Sequence, residues 1–179
     1  RVIFYMKKTI IIVLSIFIIY QITNNKENII IPKSAIRLRI IADSNSVYDQ
    51  YIKNEVKKIM EEEIKDNLND ITEIETSRNI IKSNINKYRE KIEKLFIKKK
   101  YNKEININFG LNYFPKKVYK GVTYEQGDYE SLVITIGSGQ GDNWWCVLFP
   151  PLCLLEAEEN TEVEYKFKVL ELLDKIFKK

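Results

Sequence analysis

The segment from Ile136 to Cys153 constrains this chain more than any other. Half of its six glycines, half of its four prolines, both tryptophans and both cysteines fall inside it. Gly137, Gly139 and Gly141 alternate with Ser138 and Gln140, so the backbone can turn there without the clash that a side chain brings. Asn143 to Phe149 then reads as a strand. Adjacent residues on a strand point to opposite faces, so Trp144 and Trp145 are expected on opposite sides of a sheet. An outward tryptophan calls for a cover or a partner. Pro150 and Pro151 have no amide hydrogens, so the strand ladder is expected to stop before them, and either bond preceding a proline can be cis. Cys146 and Cys153 bracket this turn. A disulfide between them closes a loop of eight residues, which removes about 2.5 kcal/mol of unfolded-state freedom on the chain-entropy account. Two readings follow: a buried Trp corner pinned by a disulfide, or a rigid exposed knuckle that a partner recognises.

The rest of the chain reads as anchor, helix and strand. Met6 with Lys7 and Lys8 is the expected start, and Thr9 to Ile22 is an almost unbroken apolar run. That pattern is a signal-peptide core behind a basic flank, and it is short for a membrane span. Residues 1–23 are therefore expected to be an export signal or membrane anchor, residues 24–35 a linker, and residues 36–179 one domain. Ile36, Leu38 and Ile40 alternate with Arg37 and Arg39 in a first strand; the two arginines share a face, either solvated or a docking patch for a partner's carboxylate. Asp43 to Ser46 is a turn, and Ser46 with Asp49 has the form of a helix cap. A helix is expected over Val47 to Leu68, with Tyr48, Ile52, Val56, Ile59 and Leu68 in its apolar stripe and Glu61, Glu62 and Glu63 solvated. A second helix begins near Thr72 or Thr76 and carries Ile81, Ile85, Tyr88, Ile92, Leu95 and Phe96 inward, with Lys98–Lys100 suited to its C-terminal dipole. The period then changes to two over Ile105 to Tyr113. A tight turn at Lys120-Gly121, a strand from Glu130 to Ile136, and a last helix with Phe167, Leu170, Leu173, Ile176 and Phe177 inward complete the chain. These elements predict an α+β fold: a small, mostly antiparallel sheet with helices packed on one face, preceded by the hydrophobic export segment.

Charge and residue content exclude several functions. Residues 1–33 carry five basic and one acidic side chain of the 29 and 25 in the chain, which leaves 24 of each in residues 34–179. A neutral domain is not steered onto nucleic acid. The chain has no histidine, which removes Ser-His-Asp and Cys-His catalysis and histidine-ligated metals, and two cysteines do not complete a cysteine-only zinc site. No cofactor or metal is expected. The Gly137–Gly141 run follows a strand but lacks the Lys-Ser/Thr ending of a phosphate loop. The acidic residues Asp43, Asp49, Asp128, Glu130 and Asp142 have no diagnostic pairing; an exported carboxylate-dependent hydrolase is the alternative reading, and two carboxyls converging in a cleft with raised pKa values would favour it. A membrane-anchored structural protein of the septum is a third.

The run Gly137-Ser138-Gly139-Gln140-Gly141-Asp142-Asn143-Trp144-Trp145-Cys146-Val147-Leu148-Phe149-Pro150-Pro151-Leu152-Cys153 resembles the signature of the stage II sporulation protein R family of endospore-forming bacteria. Ile36 to Ser46 followed by Asp49-Gln50 is similar to that family's opening strand and turn, and Tyr113-Phe114-Pro115 followed by Gly127 to Leu132 to a third block. The resemblance implies a signalling protein without catalysis. It implies export from the forespore into the intermembrane space, secreted or N-terminally anchored. The implied partner is a membrane-embedded aspartic protease, the stage II sporulation protein GA, which processes the pro-form of sigma factor E in the mother cell. Membrane contact is expected only through the N-terminal segment. The residues expected to meet that partner are Trp144, Trp145, Phe149 and Pro150, then Arg37 and Asp43.

Overall fold

The computed structural model describes residues 13–15, 29–156 and 162–177. The expected export segment lies outside these residues, apart from the exposed helical stretch 13–15. Among the described residues no helix is long and apolar enough to cross a membrane.

The fold is α+β, with two mixed sheets where one mostly antiparallel sheet was expected. The larger has four strands in the order β3-β6-β2-β7: β2 is Ile36–Ile41, β3 is Ile105–Phe114, β6 is Gly127–Ile136 and β7 is Asn143–Phe149. β2 lies parallel to β6 and antiparallel to β7, and β3 is antiparallel to β6. The central parallel pair is rich in Ile, Leu and Val, as strands covered on both faces are. The smaller sheet is β1-β5-β4, from β1 (Ile29–Ile30), β4 (Lys117–Tyr119) and β5 (Val122–Tyr124). Lys120 and Gly121 both take positive φ between β4 and β5, the tight hairpin turn that the sequence predicts. Residues 29–35, expected within a linker, are part of the fold: Ile29 pairs with Val122, and Ile31 and Ala35 are buried.

Two helices cover one face of the larger sheet. α1 runs Val47–Leu68 and α2 runs Ile74–Lys99. The Ser46 hydroxyl caps α1 by accepting the Asp49 amide at 3.1 Å and donating to the Asp49 carboxylate at 2.8 Å, which satisfies one of the free donors of the first turn. Ile52, Val56, Met60, Ile64 and Leu68 of α1 and Ile81, Tyr88, Ile92 and Phe96 of α2 meet Leu38, Ile40, Leu132, Ile134 and Cys146 in the main core. Tyr48, expected inward, is exposed instead, and its hydroxyl donates to the Lys99 carbonyl. Glu63 is also corrected. It is not solvated but 1% exposed, paired with Lys87 at 2.8 Å and with Lys91 of α2. Burial pushes its pKa up, but the hydrogen bonds from the two lysines outweigh that and leave it lowered.

The smaller sheet builds a second core with the C-terminal elements, α3 (Leu152–Glu156) and α4 (Glu162–Phe177). Tyr165 and Val169 of α4 are buried with Ile31, Val122, Val147 and Leu152. This shifts the expected inward face of α4: Phe167 is 68% exposed. The Tyr165 hydroxyl shares a 2.9 Å hydrogen bond with that of Tyr124, and this partner turns the tyrosine stripe inward rather than the phenylalanine one.

Candidate functional site

The site begins with how β7 is held. The glycine run before it is clamped to the turn after β2. Gln140 and Gly141 donate their amides to the carbonyls of Asp43 and Ala42 at 3.0 and 2.9 Å. The Ser138 amide donates to the Asp43 carboxylate at 2.6 Å, and the Ser138 hydroxyl to the Asp43 carbonyl at 2.9 Å. Lys103 forms an ion pair with the same carboxylate at 2.9 Å. These donors, Lys103 first, hold the Asp43 carboxyl down to about 2. Gly137 sits at φ +53°, and a Cβ there would lie 2.3 Å from Asp43 Oδ1; one on Gly141 would lie 2.3 Å from the Ser44 carbonyl oxygen. The glycines therefore let two chain segments touch backbone to backbone.

β7 leaves this clamp as the edge strand of the larger sheet. Trp144 and Trp145 take opposite faces, as the period of two requires. Trp144 packs beside the main core, with the Lys57 ammonium of α1 4.9 Å from its ring centre. Trp145 lies on the other face, its ring 5.0 Å from Phe114 and edge-on to it, with the Arg39 guanidinium 4.7 Å away. An open groove of about 250 Å³ is lined by Trp144, Trp145 and Cys146 of β7, together with Arg37, Phe114 and Tyr124. Lys57, Pro115, Lys116, Lys117 and Tyr119 complete its wall. Three consecutive strand residues face both sides of a sheet. A groove that touches all three, and Lys57 on the helix side, therefore follows the outer edge of the strand.

Arg37 is the floor of this groove and only 3% exposed. Its guanidinium lies 3.4 Å from the Tyr129 ring centre and 5.2 Å from that of Phe114. It donates one hydrogen bond, to the Glu125 carbonyl at 3.1 Å. Among the described residues Nε has no hydrogen-bond partner and the guanidinium forms no ion pair. Burial lowers its pKa, against the attraction of Tyr129 and Tyr124. Four cations and no carboxylate line the groove.

Of the residues expected at a partner surface, Arg37, Trp144 and Trp145 come together here. Phe149 does not: it is fully buried, with Phe177 at 6.3 Å between ring centres. Pro150 is buried as well, behind a cis Phe149–Pro150 bond. Asp43 belongs to the glycine clamp. The cysteines join in a Cys146–Cys153 disulfide that ties the middle of β7 to α3. The strand ends at Phe149, where the prolines remove its donors. Phe114, Tyr124, Lys57, Lys116 and Lys117 were not anticipated; the nearest signal was the Tyr113-Phe114-Pro115 block, which runs directly into the two lysines.

The carboxylates do not form an acid–base pair. Asp49 accepts hydrogen bonds from Ser44, from Tyr101 at 2.7 Å and from Ser46 at 2.8 Å, and these lower its pKa. Asp43 is lowered too, so neither holds a proton near neutrality as a general acid must. Among the described residues no cluster of acidic or sulfur side chains suits a metal ion.

Comparison with known proteins adds two findings. A family model described as Stage II sporulation protein R matches residues 32–159. A curated protein of Bacillus subtilis (strain 168), named Stage II sporulation protein R, is 37% identical over 171 residues, covering 89% of this chain and 76% of that protein. No solved structure matches.

Proposed function

The chain belongs to the stage II sporulation protein R family, and on that footing we propose that it is an exported sporulation signal which activates a membrane-embedded aspartic protease. In this reading the domain acts in the space between forespore and mother cell, free or tethered by its N-terminal segment. The protease is the stage II sporulation protein GA, and its activation leads to cleavage of pro-sigma factor E. The chain itself performs no chemistry. It binds, and a ligand that prefers the active arrangement of its partner shifts the partner's population toward it.

The observation that carries this reading is the groove along β7. The family's most specific block builds one wall of it, and that wall presents aromatic rings on a strand held by a disulfide and a glycine clamp. Rigid, partly buried aromatics beside an arginine are the usual material of protein recognition. The exported domain, the protease and pro-sigma factor E are to be co-expressed in a host that does not sporulate. Cleavage is expected with the wild-type domain and loss of cleavage with Trp144→Ala/Trp145→Ala, provided the variant is secreted at a similar level and melts cooperatively. Unchanged cleavage by a folded variant would reduce the tryptophans to a structural corner. Absence of cleavage with wild type would sink the signalling reading.

A further inference from the structure

We propose that the β7 groove takes an acidic, extended segment of a partner protein, which pairs with the free edge of β7 and sets an Asp or Glu carboxylate against Arg37. The signalling reading enters only in taking the partner to be the protein that is activated.

Three observations converge on this occupant. The first is Arg37 itself. A buried guanidinium is costly unless paired, and here aromatic rings and one carbonyl hold it while Nε stays without a partner. Its planar fork suits a carboxylate, which can accept two of its hydrogens at once. The second is charge. Residues 34–179 balance at 24 basic and 24 acidic side chains, yet every ionic group on the groove wall is a cation: Arg37, Lys57, Lys116 and Lys117. They are distributed on both sides of β7, which fits a chain running through with more than one acidic residue better than a single small anion. The third is the strand edge. β7 pairs with β2 on one side and faces the groove on the other, and an extended peptide that adds to an open edge gains main-chain hydrogen bonds while alternate side chains fill pockets. Trp145, Phe114 and Tyr124 would cover the apolar side chains between the acidic ones.

Both tryptophans of the chain lie in this groove, so intrinsic fluorescence reports on it directly. The probes are end-capped peptides as long as β7 that alternate Glu or Asp with Val, Thr or Tyr, each with a counterpart carrying Gln or Asn. Saturable fluorescence changes are expected with acidic members. Their affinity should exceed that of the amide counterparts by about tenfold or more and fall with added salt. Arg37→Gln is expected to remove that preference. Because Arg37 is buried and its variant can misfold, Lys117→Glu, at an exposed position, serves as the second test and should weaken acidic peptides by about threefold to tenfold. The proposal is overturned if acidic and amide peptides bind alike, if no peptide saturates the signal, or if inorganic phosphate alone abolishes peptide binding at matched ionic strength. A protein that dimerises through the groove, seen as a concentration-dependent fluorescence change lost in Trp145→Ala, would also overturn it. Loss of activation in the tryptophan variant without any peptide binding would leave the signalling reading intact and remove this one.

Discussion

At the scale of single residues, the glycine clamp makes the sharpest predictions. Gly141→Ala would push a Cβ to 2.3 Å from the Ser44 carbonyl, a backbone atom that cannot rotate away. Denaturant unfolding is expected to show a loss of about 1–3 kcal/mol, the range for overpacking. Gly110, inside β3, meets nothing within 4 Å. Gly110→Ala should be neutral or stabilising by about 0.5 kcal/mol, and an equal loss at both sites would contradict the clamp. Asp43 predicts a pH dependence. Its folded pKa of about 2 lies below the unfolded value of about 3.9, so its contribution is present above that value and is lost as pH falls from about 4 toward 2. Asp43→Asn should flatten that acid limb and cost about 1–2 kcal/mol at neutral pH, as followed by unfolding midpoints against pH. The glycine spacing was legible in the sequence because only a close approach or a positive φ demands it. Glu63 was not, because three consecutive glutamates look alike until a second helix brings Lys87 and Lys91 to one of them.

At the scale of elements, local signals did most where they are self-contained. The Ser46 cap set the start of α1, and the prolines after Phe149 set the end of β7. Alternation identified the faces of β2, β3 and β6, but a period of two says which way side chains point and nothing of strand direction. The parallel pairing of β2 with β6 therefore escaped, as did the edge position of β7 that opens the groove. The C-terminal helix was misphased because its inward stripe depends on Tyr124, a distant partner. The disulfide joins two such elements, β7 and α3. Cys146→Ser/Cys153→Ser is expected to lower stability by about 2.5 kcal/mol on the chain-entropy account. Chemical denaturation of the wild type should show the same loss when reductant is added; insensitivity to reductant would mean that the bond is not formed in the native protein.

At the scale of the whole molecule, the order of elements along the chain matters as much as their packing. β2 comes early and lies between β6 and β7, both contributed from past residue 126. The Ser138–Asp43 bonds span 95 positions, so the centre of the larger sheet closes only when the far part of the chain is present. A polypeptide cut or stalled before Asn143 has α1, α2 and β6 but no outer strand, no tryptophans and no cysteines. What a partner could read on this molecule is thus absent from every incomplete version of it, and the message is delivered whole or not at all.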